Sequence, residues 1–166
     1  MQPFNLTRLN MFSPYPVWQN SSDSYKFRTD FGVVFRVVFT RNQDIWQDNE
    51  AYEFGLFYEN GLTSPNDTKV KATIQCIIEE FFLTNPNILL YQCETGDNRQ
   101  AMRARLFKRW FSDYEFAERY CVKVSVLKAD NIDNYIALIV QSNNPKLEGI
   151  IRDFDEFIGF FGTKPE

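Results

Sequence analysis

Five basic residues crowd the stretch between 99 and 109: Arg99, Arg103, Arg105, Lys108 and Arg109. On a helix, Arg99 and Arg103 stand one turn apart, as do Arg105 and Arg109. Two basic rows then flank an apolar stripe of Met102, Leu106 and Trp110, with Phe107 and Phe111 beside it. Guanidinium forks grip carboxylates and phosphates, so the pattern suits an anion or an acidic protein partner. The plainer reading is a solvated helix face. Its basic end would complement the helix dipole, with Asp113, Glu115 and Glu118 at hand as local partners.

Carboxylates are the other reactive groups. Glu94 follows the apolar run ILLYQC and precedes a Gly-containing loop, where α/β folds place ligands. A carboxylate there could serve as a general base, or simply tie the loop together next to Asp97. Asp153, Asp155 and Glu156 form an acidic edge on the last helix, which reads as a solvated face rather than a converging metal cage.

Several chemistries are excluded outright. The chain has no His, which removes Ser–His and Cys–His nucleophiles and His-ligated zinc. Cys76, Cys93 and Cys121 sit in apolar stretches without CxxC spacing, as buried thiols of a reducing compartment do. A net charge of −4 disfavours nucleic acid as a partner. The N-terminus lacks the pattern of a signal peptide, and no apolar run spans a bilayer. These features together predict a cytoplasmic protein off the membrane, with its oligomeric state open.

The elements that must position these groups follow from periodicity. The 166 residues fit one domain at 24–161, with an N-terminal arm at 1–23 and a tail at 162–166. Phe12, Tyr15 and Trp18 are the arm's expected anchors. Tyr25, Phe27 and Thr29 alternate as a strand, and a turn at Asp30–Gly32 leads into FGVVFRVVF, with Phe31, Val33, Phe35, Val37 and Phe39 on one face. A polar loop at 41–50 precedes the strand AYEFGLFYE. Trp18 and Trp46 lie in polar stretches, so one of them could mark an exposed contact surface.

A helix follows from Thr68 to Leu83, capped by Asp67 and stopped at Asn85–Pro86. The buried strand NILLYQCE comes next, then a helix from Arg99 to about Tyr114. Strands CVKVSVLKA and NYIALIVQS lead to a last helix with Ile150, Ile151, Phe154, Ile158 and Phe161 inward. The predicted class is α+β, in the order β-β-β-α-β-α-β-β-α. Helices pack on a mixed, mostly antiparallel sheet, and 17 Phe beside 8 Tyr promise an aromatic core.

From the third strand onward, over roughly residues 51–141, this order resembles the GCN5-related N-acetyltransferase fold. AYEFGLFYEN is similar to the strand before that family's cofactor loop. ILLYQCE and DNRQAMRARLF resemble its next strand and Asn-x-x-Ala helix, with Asn98 and Ala101 on the matching positions. The resemblance implies acyl-CoA as cofactor. Lys69, Lys71, Ala72 and Thr73 would meet its pyrophosphate, with Asn98 on the second helix. Strand edges near Phe57 and Tyr58 would hold the pantetheine, and Glu94 or Glu53 would deprotonate an amine.

The chain departs from that family in chemistry. Its loop PNDTKVKAT has no glycine to bare amides to phosphate, and Asp67 stands at the mouth. Phe107 occupies the place of the Tyr that protonates the departing thiolate. NPNILLYQC and RQAMRARLFKRWF resemble, more closely, a family of uncharacterised single-domain bacterial proteins, which implies no activity.

Three functions therefore stand as expectations. The leading one is a degenerate acetyltransferase-like domain that works without catalysis or cofactor, by binding a protein partner or a small anion. The others are an atypical acyl-CoA N-acyltransferase and a nucleic-acid-associated module using the Arg-rich helix.

Overall fold

The computed structural model describes residues 1–60, 67–85, 87–92, 105, 107–129 and 131–162. Glu94, Asn98, Arg99 and Arg103 lie outside them, as do 163–166 of the tail. The described elements run α1 (Leu6–Phe12), β1 (Val17–Ser21), β2 (Ser24–Arg28), β3 (Val34–Asn42), β4 (Ala51–Tyr58), α2 (Thr68–Thr84) and β5 (Ile88–Gln92). A helical turn at 107–110, α3 (Tyr114–Arg119), β6 (Tyr120–Ala129), β7 (Ile132–Gln141) and α4 (Leu147–Gly162) follow. The strands join in the order β1-β2-β3-β4-β5-β7-β6. The class is α+β, with a mixed and mostly antiparallel sheet, as the patterning predicts.

The chain divides into two compact units. One comprises Met1–Thr40 with Phe54–Pro86, the other Arg41–Glu53 with Asn87–Glu166.

In the first unit the arm is built into the fold. Asn5 caps α1 by accepting a bond from the Arg8 amide at 3.0 Å, and Leu9 is buried beneath it. β1 then pairs antiparallel with β2, setting Val17 opposite Phe27. Neither element is visible in the arm's polar, Pro-containing sequence, because each is held by its partner rather than by its own periodicity. Of the three expected anchors, Tyr15 is buried, whereas Phe12 and Trp18 are exposed.

β2 and β3 form the predicted hairpin, with Tyr25 opposite Val37 and Phe27 opposite Phe35. Gly32 takes φ 80° in its turn, a conformation L side chains avoid. The turn is stitched by Thr29, whose Oγ1 accepts from Phe31 and Val33 amides, both at 3.2 Å. Phe31 thus belongs to the turn and is 61% exposed, not inward as alternation predicts. Val34 and Val38 are half-buried, so the second face of β3 is only partly covered.

The inner face of this unit is aromatic. Phe4 stacks on Tyr25 at 4.3 Å between centroids, Phe27 on Phe35 at 5.0 Å and Phe39 on Phe81 at 5.2 Å. Such offset rings add specificity to the large area they bury. α2 supplies Val70, Ile74, Ile77, Ile78 and Phe81 to the same core, from the spacing that predicted it.

In the second unit, β5 is buried on both faces, as its unbroken apolar run requires. On one face, Ile88, Leu90, Leu138 and Val140 meet Ile150 and Phe154 of α4. Trp46 joins that core at 3% exposure, which corrects its reading as a possible contact residue; Trp18, at 43%, keeps that character. The helix predicted to reach Tyr114 breaks at 111–113, where the Ser112 hydroxyl donates to the Arg109 carbonyl at 2.9 Å. α3 starts afresh at Tyr114.

Candidate functional site

Two places carry the residues with chemical potential. They are the segment around Arg105–Arg109 and the N-terminus of α2.

An aromatic ladder positions the first. Tyr91 on β5 stacks on Phe107 at 4.2 Å, Phe107 meets Phe111 at 4.4 Å, Phe111 meets Phe116 at 4.7 Å, and Phe116 meets Tyr120 at 4.5 Å. All five rings are buried. Phe107 and Phe111, which the spacing set beside the apolar stripe, are buried, and Trp110 is half-buried; Met102 and Leu106 lie outside the described residues. Arg105, Lys108 and Arg109 are all exposed. No ion pair among the described residues joins them to a carboxylate, although Glu115 and Glu118 are close in sequence. The result is a short basic ridge fastened to a rigid floor.

The second place is the end of α2 where the acetyltransferase likeness sets a pyrophosphate. Here Asp67 turns its carboxylate onto the helix end. Oδ1 accepts from the Lys69 amide at 2.9 Å, and Oδ2 from the Tyr15 hydroxyl at 2.5 Å. The Lys69 ammonium pairs with Asp30 at 2.9 Å and lies 5.5 Å from the Tyr15 ring centroid. Burial, and then the bond to Asp67, push the Tyr15 phenol above its ordinary value. The Asp30 partnership likewise raises Lys69. Thr73 is fully buried, with its hydroxyl donating to the Lys69 carbonyl at 2.7 Å. Lys71 and Ala72 are half-buried. A carboxylate of the chain already holds this helix end, and the nearest ammonium is drawn onto Asp30.

Of the two alternative bases, one lies within the described structure. Glu53 accepts from the Asn42 amide group at 3.0 Å, and Glu94 lies outside the described residues. On α4, Asp155 pairs with Lys123 at 2.5 Å, beside an open depression of about 530 Å³ that Glu148, Ile151, Arg152 and Glu156 also line. Among the described residues no cluster of His, Cys, Asp or Glu is arranged to hold a metal ion.

A buried carboxylate, Glu80, escaped the sequence reading. At 2% exposure it accepts from Arg8 Nη2 at 2.6 Å, Arg8 Nε at 2.9 Å, the Asn5 amide at 3.0 Å and the Thr84 hydroxyl at 3.2 Å. Burial alone would push this carboxyl up, but the bonds from Arg8, Asn5 and Thr84 outweigh it and hold it below its ordinary value. Its signal was available: Val70, Thr73, Ile77 and Glu80 recur at helical spacing on the buried side of α2. A carboxylate in that row requires a cation from elsewhere in the chain.

Among the described residues these features define an α+β fold with a mostly antiparallel sheet, an aromatic core and an exposed basic ridge. The chain belongs to a family of unknown function, DUF6169, whose model matches residues 66–156. The NPNILLYQC and RQAMRARLFKRWF stretches fall within that span, so the expected kinship with an uncharacterised family holds. Comparison with curated proteins finds no match. No described helix is long and apolar enough to cross a membrane.

Proposed function

We propose that this domain works without catalysis, by binding an acidic segment of a protein partner on the ridge of Arg105, Lys108 and Arg109. One observation carries the reading: three exposed cations share a surface, and no described carboxylate neutralises them. Cations on a solvated helix face normally find a neighbour one turn away. Here the buried Phe107 and Phe111 fix the backbone beneath them, so little ordering remains for a partner to supply. The acidic balance of the whole chain, −4, favours a compact anionic peptide over an extended polyanion.

The test is fluorescence anisotropy with a labelled poly-glutamate peptide. Binding should weaken with salt and fall at least tenfold in Arg105→Ala plus Arg109→Ala, while Arg105→Lys plus Arg109→Lys keeps part of it. Unchanged binding in the alanine pair would sink the proposal. A labelled oligonucleotide that bound more tightly than the peptide would move the function to nucleic acid.

A second reading, an acyl-CoA N-acyltransferase of cytoplasmic type, draws support from the element order, in which antiparallel strands lead to α2, then β5, helical residues and a final strand pair. The chemistry of the α2 N-terminus weighs against it, since Asp67 sits where phosphate oxygens would need amides. Thermal shift with acetyl-CoA separates the two. Ligand at a hundredfold excess over its dissociation constant would add about 2.7 kcal/mol to the folded state. A flat response leaves the non-catalytic reading in place.

A further inference from the structure

In the first unit, β2 and β3 send Tyr25, Phe27, Phe35 and Val37 into the core and their alternate residues to the opposite face. That second face carries a row of side chains with chemical potential. The register sets Trp18 opposite Lys26 and Lys26 opposite Arg36, so the three share it across β1, β2 and β3. The row ends on β4 at Phe57, over whose ring the Arg36 guanidinium lies 4.9 Å from the centroid. Both end rings are open to solvent, Trp18 at 43% and Phe57 at 44% exposure. Three strand spacings separate them, about 14 Å.

Phe57 is held in place by its neighbours. Its ring folds back over Gly55, where an added Cβ would come within 2.8 Å of it. Only a residue without a side chain leaves room for the ring there. Charge on this face is uneven. Lys26 and Arg36 both pair with Glu59, at 3.1 and 2.7 Å, so two cations share one carboxylate. Arg28, opposite Val34 and two residues along from Lys26, is exposed, and no described carboxylate pairs with it. Three cations therefore stand against Glu59. Glu53, four residues from Phe57 along β4, accepts from Asn42.

We infer that this sheet face binds a short single-stranded nucleic acid, with bases stacked on Trp18 and Phe57 and phosphates met by Lys26, Arg28 and Arg36. The make-up of the row selects that partner. Exposed rings give any base a face to stack on, and cations between the rings meet the linking phosphates. The chain's net charge of −4 prevents charge alone from holding a polyanion, so stacking has to carry part of the binding. A duplex hides its base faces and is disfavoured. An acidic peptide would engage the cations and leave both rings unused. The face is independent of the Arg105–Arg109 ridge, which carries no described exposed ring pair.

The experiment is fluorescence anisotropy of the full chain with a labelled single-stranded oligothymidylate of about ten nucleotides, alone and annealed to its complement. The single strand should bind about tenfold more tightly than the duplex. Trp18→Ala with Phe57→Ala should weaken single-strand binding by about tenfold, and Trp18→Tyr with Phe57→Tyr should keep most of it. Arg28→Ala should lower the slope of log affinity against log salt by about 1. Circular dichroism checks that the variants fold, and the duplex comparison uses the unaltered chain, so it stands without them. The inference is overturned by no saturable binding of the single strand, by equal binding of the duplex, or by binding that survives loss of both rings in a folded protein. Tighter binding of poly-glutamate, released by the same alanine pair, would overturn it in favour of an acidic protein.

Discussion

Arg8 grips Glu80 through two nitrogens, at 2.6 and 2.9 Å, and so fastens α1 to a carboxylate that is 2% exposed. The Asn5 amide and the Thr84 hydroxyl complete the ring of donors. The N-terminal helix is therefore held to α2 by charge as well as by the buried Leu9.

Replacing Glu80 by Ala removes all of those acceptors and should lower stability by about 2 kcal/mol, read from urea denaturation. Arg8→Ala should also destabilise, because it leaves the buried carboxylate without its cation. The pH dependence has a definite sign. The folded carboxyl lies below its ordinary value, so its contribution is complete above the carboxyl range of the unfolded chain. It is lost as pH falls through the folded value. Glu80→Gln should flatten that acid limb of the stability curve; an acid limb identical to the wild type would show that Glu80 does not set it.

Asp67 both caps α2 and receives the Tyr15 hydroxyl. Asp67→Ala should cost about 1–2 kcal/mol, and Tyr15→Phe about 1 kcal/mol. The double mutant should fall short of their sum, because both lose the same bond. Thermal denaturation of the four proteins forms the cycle; strict additivity would separate the two residues.

Gly32 adopts φ 80°, and a Cβ placed there meets nothing within 4 Å. The penalty for Gly32→Ala is then purely one of backbone conformation, about 1 kcal/mol. Gly32→Asn should recover part of it, since Asn tolerates this region better than Ala. Equal melting temperatures for the two variants would contradict a conformational origin.

Burial, and secondarily Glu79, push the Cys76 thiol up to about 11. It should resist iodoacetamide at neutral pH in the native state and react on unfolding, as peptide mass spectrometry can follow. Its linkage runs opposite to that of Glu80. The unfolded thiol ionises near its ordinary 9.0, so stability declines as pH rises from there toward the folded value. Cys76→Ala should remove that alkaline component.

Most of the local elements were legible in the chain. The α2 stripe, its Asp67 cap, the β2–β3 hairpin and the buried run of β5 all follow from periodicity and turn chemistry. The candidate site was legible only as an inventory. Arg105, Lys108 and Arg109 could be named, but whether acids answer them depends on where Glu115 and Glu118 point. The sequence offers Lys69 as a phosphate ligand, and only the fold sets Asp30, distant in sequence, beside it at 2.9 Å. Phe31 fits an alternating strand, yet the Thr29 bonds place it in the turn. Trp46 sits in a polar loop, yet its ring is core.

The sequence by itself determined the α+β class, the identity of most strands and helices, and the exclusion of histidine chemistry. Those rest on spacing and composition, which act over one or two turns of chain. The tertiary structure alone decided that α1 and β1 belong to the fold, that Glu80 has a cation, and that the Tyr15 hydroxyl reaches Asp67. Each depends on groups far apart in the chain, such as Arg8 and Glu80 or Tyr15 and Asp67. Pairings of that kind are set by packing of the whole chain, and no local pattern encodes them.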